Sequence, residues 1–221
     1  MILAAGRGER MRPLTDHTPK PLLKIGGKPL IAWHIERLRH AGFNEIVINH
    51  AHLGEQIEAY CGDGSAWNVH IQYSAEKTAL ETAGGIANAL HLLGNAPFLV
   101  VNGDTFTDID FAPLRDVLLP PNLAHLIMID NPPQHPDGDF ALQENKLKVD
   151  GANKLTFSGI GVYHPNLFKS LVVGEPAKLA PLLKMGISKG LVTAMHYQGI
   201  WHDIGTPSRL NELDRQLLVT K

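Results

Sequence analysis

The sequence predicts an α/β fold, a parallel or mixed sheet with helices on both faces. Three observations carry that expectation. Short apolar runs alternate with stretches of helical periodicity along the chain. Residues 98–101 are a continuous apolar run bounded by Pro97 and Gly103, as in a strand covered on both faces. The composition, 44% apolar and 19% charged over 221 residues, supplies enough core for one sizeable domain without disulfide or metal staples. The same numbers exclude a disordered tail and a collagenous chain, and no run of about twenty apolar residues marks a membrane span.

Each element has its own reason. Residues 1–3 read as a strand that enters a loop over 4–20. Residues 29–40 read as a helix: Pro29 suits the first helical position, Leu30, Ile31, Ile35 and Leu38 fall at helical spacing, and Gly42 lies just past the end. Residues 45–49 form the next strand, 54–61 a short helix and 69–73 a third strand. Over 83–93, Ile86, Leu90 and Leu93 share a face, with Thr82 as the expected N-cap. After the strand at 98–101 come a helix near 111–119, a strand at 124–129 and a proline-crowded loop over 130–139. Further strands are expected at 155–157, 160–163, 192–197 and 200–203, and helices at 179–189 and 207–218. Thr206 is the N-cap of the last helix and Pro207 its first residue. A substrate-covering portion is expected from roughly residues 130–200.

Charge is unevenly spread. The net charge of −2 argues against general nucleic-acid affinity. Residues 1–28 nevertheless carry six bases against two acids, a balance of +4, whereas residues 101–150 carry nine acids against three bases, a balance of −6. An anion site facing a metal site would produce that division, and so would solvated surface charge. The lone Cys61 has no internal disulfide partner, and no basic leader with an apolar stretch opens the chain, so a reducing, cytoplasmic compartment is expected. The length allows a monomer or a small homo-oligomer.

Candidate chemistry sits at strand ends. Leu3-Ala4-Ala5-Gly6-Arg7-Gly8 follows a strand with small residues, which lets backbone N–H groups approach a phosphate. The spacing matches neither the dinucleotide fingerprint nor the Gly-Lys-Ser/Thr loop, so a simple turn is equally open. Lys20 stands between Pro19 and Pro21 on a stiff segment. Asp104 follows the buried run over 98–101, and Asp203 again follows a strand and precedes a capped helix. Carboxylates at the carboxyl ends of strands suit Mg²⁺, which takes one or two of them and completes its octahedron with phosphate and water oxygens. Turn capping explains each equally well in isolation. Twelve histidines invite zinc, but His50 with His52 and His34 with His40 lack the framework of a tetrahedral set. Ser158 lacks a nucleophile elbow, and Cys61 lacks a cue for activation.

Taken in order, Leu3-Ala4-Ala5-Gly6-x-Gly8-x-Arg10-Met11-x-Pro13-Leu14-Thr15, then Pro19-Lys20-Pro21, Gly103-Asp104 and Trp201-x-Asp203-x-Gly205-Thr206 resemble the sugar-1-phosphate nucleotidyltransferases. The resemblance spans nearly the whole chain. It implies a Rossmann-like nucleotidyltransferase fold with a mostly parallel central sheet, helices on both faces and a smaller sugar-binding portion. It implies that a nucleoside triphosphate and a sugar 1-phosphate give nucleotide sugar and pyrophosphate. Arg10 and Lys20 are then the catalytic cations, and Asp104 and Asp203 hold Mg²⁺. Leu3, Ala4, Ala5, Gly6, Gly8, Glu81, Gly84 and Asn102 bind the nucleotide, and Gly138, Asp139 and Ser158 the sugar.

Within the family, residues 80–86, 130–132, 138–140 and 155–160 are similar to the uridylyltransferase branch of peptidoglycan recycling, which implies UTP and N-acetylmuramic acid 1-phosphate. The rivals are a mannose-1-phosphate guanylyltransferase-like enzyme and a non-catalytic nucleotide-sugar-binding subunit. Two departures stand out. The Glu-Lys-Pro segment of many relatives has no equivalent over residues 144–153, which leaves the sugar contacts open, and Met1 lies almost inside the first strand, which leaves a trimmed or misplaced start open. Because Asp203 lies 18 residues from Lys221, a single nucleotidyltransferase domain over 1–221 is expected, without an added β-helix domain.

Overall fold

In chain order the strands are β1 (Ile2–Leu3), β2 (Lys24–Ile25), β3 (Lys28–Pro29), β4 (Glu45–His50), β5 (His70–Ala75), β6 (Phe98–Asn102), β7 (Thr105–Thr107), β8 (Ala124–Ile129), β9 (Phe140–Gln143), β10 (Lys146–Lys148), β11 (Lys154–Tyr163), β12 (Val192–Tyr197) and β13 (Trp201–Asp203). The helices are α1 (Leu30–His40), α2 (Gly54–Cys61), α3 (Glu81–Leu93), α4 (Leu179–Ser188) and α5 (Pro207–Val219). This computed structural model describes residues 1–117 and 121–219. The chain divides into two units, one of Met1–Ala79, Val101–Ala112 and the stretch from Ile200, the other of Leu80–Val100 and Pro113–Gly199.

The first unit is the parallel half. β5 pairs with β4 and β4 with β1, all parallel, and Ile2 and Leu3 of β1 also pair with Val101 and Asn102 at the end of β6. β4 is apolar except at its ends, as expected of a strand buried on both faces. Two antiparallel pairs complete the unit. β2 and β3 form a hairpin across Gly26 and Gly27, both at positive φ, the geometry that a tight two-residue turn demands. β7 pairs with β13 so that Thr105 lies opposite Asp203 and Thr107 opposite Trp201.

A hydrophobic cluster fastens these pieces together. Met11, Leu23, Ile25, Leu30, Phe106, Ile204, Leu210 and Leu213 are buried against one another, with Trp33 and Leu217 packed on the outside. Trp33 meets Phe106 edge to face at 5.4 Å and donates its indole N–H to the Ile25 carbonyl at 3.1 Å. Asp214 accepts from the Gly26 N–H at 2.7 Å, which ties α5 to the hairpin. Cys61 is buried, and that burial pushes its thiol up to about 12, which makes it inert.

The second unit is mixed. β8 pairs antiparallel with β11 and parallel with β12; β12 pairs antiparallel with β10, and β10 with β9. The unit spans Leu80–Val100 and Pro113–Gly199.

Several expectations are corrected. Pro29 is not the first helical residue: it is extended, ends β3 and stands as the N-cap of α1. Thr82 does not cap α3, which begins at Glu81; the free N–H groups of Ala83 and Gly84 are instead met by the Ala177 carbonyl at 2.9 and 3.0 Å. The helix expected near 111–119 is a 3-10 turn over Ala112–Asp116, and positions 118–119 lie outside the described residues. The strands expected at 155–157 and 160–163 are one strand, β11, whose register shifts between Phe157 and Gly161, with Gly159 at φ 80. Thr206 does cap α5, accepting from the Arg209 N–H at 3.4 Å.

Phe106 stands two residues from Asp104 and is 5% exposed. Phe106→Ala is expected to lower stability by about 3–5 kcal/mol, read from the urea midpoint, because the cluster cannot collapse around so large a void. A loss under about 1 kcal/mol would show that the cluster does not hold β7 in place.

Candidate active site

The first unit builds its site on the carboxyl ends of β1 and β6. Gly103 donates to the Leu3 carbonyl at 2.8 Å, so the Gly103-Asp104 turn is stitched to the start of the glycine loop. The Ala4 N–H goes to Asn49 Oδ1 at 2.9 Å, and Asn49 Nδ2 donates to Glu76 Oε1 at 2.6 Å. Asn49 and Glu76 are both buried, so the loop hangs from a polar bridge inside the sheet. Beyond Ala4 the chain comes out to solvent: Ala5 is half-buried, and Gly6, Arg7 and Arg10 are exposed. Gly8 adopts φ 70, and a Cβ there would press on Thr15 Cγ2 at 3.0 Å. The Thr15 hydroxyl donates to the Gly8 carbonyl at 2.8 Å and closes the loop on itself.

The loop's cations divide into two kinds. Arg7 pairs with Glu9 at 2.9 Å, and Arg12 with Asp16 at 2.6 Å and Glu9 at 3.6 Å. Arg10 makes no ion pair among the described residues and stays available to an external anion. Lys20 is different again. It is 7% exposed, set on a 3-10 turn (Lys20–Leu22) beside Pro19 and Pro21, and its Nζ reaches Asp104 Oδ2 at 2.5 Å.

The β7–β13 pair brings the backbones of the two expected metal ligands close to each other. Asp203 lies opposite Thr105, and Ile204 donates to the Asp104 carbonyl at 2.9 Å, so the two aspartates occupy neighbouring places at one end of the ladder. Asp203 Oδ2 receives Arg209 Nη1 at 2.6 Å. No group of three or more His, Cys, Asp or Glu placed to hold a metal ion occurs among the described residues. Two hard carboxylates without nitrogen or sulfur donors suit Mg²⁺ and not zinc. Asn102 is half-buried at the end of β6, and its carbonyl accepts from the Thr105 hydroxyl at 2.9 Å.

Five further expected residues belong to the second unit. Glu81 is exposed at φ 60, a strained setting for a side-chain-bearing residue, at the start of α3. Gly84 is buried in the first turn of α3, close to the backbone of Glu175 and Ala177. Gly138 turns at φ 62 in a braced loop: Asn131 Nδ2 donates to the Pro136 and Lys154 carbonyls, and Asn131 Oδ1 accepts from the Thr156 hydroxyl. Asp139 accepts from the Phe157 N–H at 2.8 Å and contacts His135 Nε2 at 3.2 Å. Ser158 is 1% exposed, and its Oγ accepts from the Ile160 N–H at 3.2 Å, so its side chain supports the β11 irregularity.

Sequence reasoning missed Asn49, Glu76 and Arg209. Asn49 is a polar residue at the carboxyl end of an apolar strand, a signal that was present in Ile46-Val47-Ile48-Asn49. Arg209 stands three residues after the cap Thr206, where helical spacing turns it back toward the entry loop. Glu76 carries no such mark.

A family model described as nucleotidyl transferase matches residues 1–219. The N-acetylmuramate alpha-1-phosphate uridylyltransferase of Neisseria meningitidis is 57% identical over 219 residues, covering 96% of this chain and 95% of that one. The enzyme of the same name from Caulobacter vibrioides is 32% identical over 222 residues, covering 94% and 91%. The solved structure of a candidate glucose-1-phosphate thymidylyltransferase from Bacillus anthracis superposes with a TM-score of 0.87 over 98% of this chain and 94% of that one, at 22% identity.

Behind Asp104 and Thr105 lies His34 of α1, 2% exposed. Burial drives its pKa down to about 4, against the opposing pull of the Thr105 backbone and the Asp104 charge. The unfolded imidazole takes up a proton near pH 6.5 and the folded one only near 4, so the unfolded state binds more protons in that window. Stability is therefore expected to fall as the pH drops, with about 2 kcal/mol lost by pH 5. Urea unfolding at pH 7.5 and 5 checks this, with a smaller loss expected in His34→Leu; equal losses in both proteins would contradict it.

Proposed function

The chain belongs to the nucleotidyl transferase family, and from that membership we propose that it transfers UMP from UTP to N-acetylmuramic acid 1-phosphate, releasing pyrophosphate. The observation that carries the choice of substrates is the 57% identity to the Neisseria enzyme across 95% of its length, together with Arg10, Lys20, Asp104 and Asp203 all being present. The reaction belongs in the cytoplasm, as a step of peptidoglycan recycling, with the protein acting as a monomer or small homo-oligomer. We read residues 1–219, the stretch matched by the family model, as one nucleotidyltransferase domain.

The chemistry asks little of side-chain bases. A sugar phosphate oxygen is already ionised near neutral pH; it attacks the α-phosphorus of UTP, the bond to the bridging oxygen breaks, and pyrophosphate leaves with the electron pair. The difficulty is electrostatic, because two polyanions must be brought into line. Lys20, on its stiff proline-flanked turn, and Arg10, which makes no ion pair among the described residues, supply positive charge where the anions meet. Leu3, Ala4, Ala5, Gly6, Gly8 and Asn102 offer backbone to the nucleotide. Asp104 and Asp203 would hold Mg²⁺, which when bound neutralises phosphate oxygens. In the second unit, we assign base contacts to Glu81 and Gly84 and sugar contacts to Gly138 and Asp139, with Ser158 supporting the strand beneath.

The test is pyrophosphate release from four nucleoside triphosphates against several sugar 1-phosphates, with Mg²⁺. UTP with N-acetylmuramic acid 1-phosphate is expected to give the highest kcat/KM, and Lys20→Ala to lower kcat about 100- to 1000-fold with the far-UV circular dichroism unchanged. Turnover of GTP with mannose 1-phosphate in its place would overturn the substrate choice. Wild-type turnover in Lys20→Ala would overturn the site.

A further inference from the structure

Asp203 reaches its place through a small device in which each part has a use. Its Oδ2 receives Arg209 Nη1 at 2.6 Å, whereas its Oδ1 takes no hydrogen bond among the described residues. Arg209 Nε lies 3.4 Å from the Thr206 hydroxyl, which also caps α5 by accepting from the Arg209 N–H. The guanidinium is thus gripped at both ends, and it passes through the space that the Gly205 side chain leaves free. A Cβ at Gly205 would collide with Nη2 and come within 3.0 Å of Asp203 Oδ1. Both side chains of the pair are about three-quarters buried, at 23% and 24% exposure, so water screens it only in part.

We propose that Arg209 is the positioning residue that fixes Asp203, holding one carboxylate oxygen so that the other is presented to the divalent cation, and that Gly205 is glycine to let it do so. This rests on the reading of Asp104 and Asp203 as the cation's ligands. Lys20 treats Asp104 alike, taking Oδ2, but the two cations differ in freedom. Lysine is a point charge on a flexible stem that can transfer to an incoming phosphate, whereas the planar fork of Arg209 is pinned by Thr206 and directs Asp203 through a fixed geometry. Partners that orient a metal's carboxylate ligands are worth 10- to 100-fold in metal affinity or activity.

The test uses Mn²⁺ as the probe, titrated into the full chain with UTP present, with free Mn²⁺ read from its EPR signal against UTP alone. Arg209→Ala is expected to raise the protein-dependent half-saturation by about 10-fold or more with the thermal midpoint within a few degrees of wild type. Arg209→Lys is expected to fall between the two, since it restores charge without the fork. Gly205→Ala keeps the arginine but pushes it off Asp203, so it should reproduce Arg209→Ala, and the double variant should be no worse than either. Unchanged Mn²⁺ binding in Arg209→Ala would make the pair purely structural. Tighter binding would make the arginine a competing counter-charge. Both results overturn the proposal while leaving the proposed function standing. Absence of protein-dependent Mn²⁺ binding in the wild type overturns the metal reading and the proposal with it, whatever the turnover assay gives.

Discussion

Two ion pairs, Lys20 with Asp104 and Arg209 with Asp203, are what much of the first unit serves to hold. The β7–β13 ladder sets Asp203 opposite Thr105, the residue after Asp104. Each of the two aspartates has a cation of its own: Lys20 reaches back from the glycine loop to Asp104, and Arg209 reaches from α5 to Asp203. The elements that bring in these cations are the ones the hydrophobic cluster holds. Leu23 follows the Lys20 turn, Phe106 lies on β7, Ile204 adjoins Asp203, and Leu210 adjoins Arg209. The apolar packing therefore fixes the spacing of four charges that would otherwise find their own distances in water.

How much of this the sequence disclosed depends on the range of the interaction. β8, β12 and α2 occupy the residues their apolar patterns predict, because a pattern within one element reports burial directly. The hairpin at Lys24–Pro29 escaped, although Gly26-Gly27 is a turn signal, because two-residue strands are too short to show alternation. β9 and β10 escaped for a similar reason: runs of four and three residues are too short to show alternation, and only their partners make them strands. The N-terminus of α3 is subtler. Thr82 is an ordinary cap by propensity, yet the Ala177 carbonyl, almost a hundred residues away, supplies the acceptor instead.

The site divides the same way. Lys20, Asp104 and Asp203 stood out because each sits where a strand ends or a proline stiffens the chain, which is a local property. Arg209 and Asn49 did not, because an arginine on a helix and an asparagine at a strand end are ordinary until their partners are known. What gives Arg209 a role is the absent side chain at Gly205, and what gives Asn49 one is the Ala4 N–H 45 residues away.

That Asn49 bridge also explains why the glycine loop can be both fixed and open. Ala4 is buried and bonded to Asn49, and Asn49 donates in turn to the buried Glu76. At its far end the loop is closed by the Thr15 hydroxyl on the Gly8 carbonyl and by Lys20 on Asp104. Between these anchors lie Gly6 and Arg7, exposed, with nothing within 4 Å of where a Gly6 Cβ would stand. A loop held at both ends and free in the middle brings its backbone N–H groups to an anion without ordering the whole segment on arrival, so binding costs less conformational entropy than a free loop would impose. On the proposed function, the buried asparagine and glutamate would bear on phosphate recognition without touching a phosphate, by the same indirect support that we propose Arg209 gives Asp203.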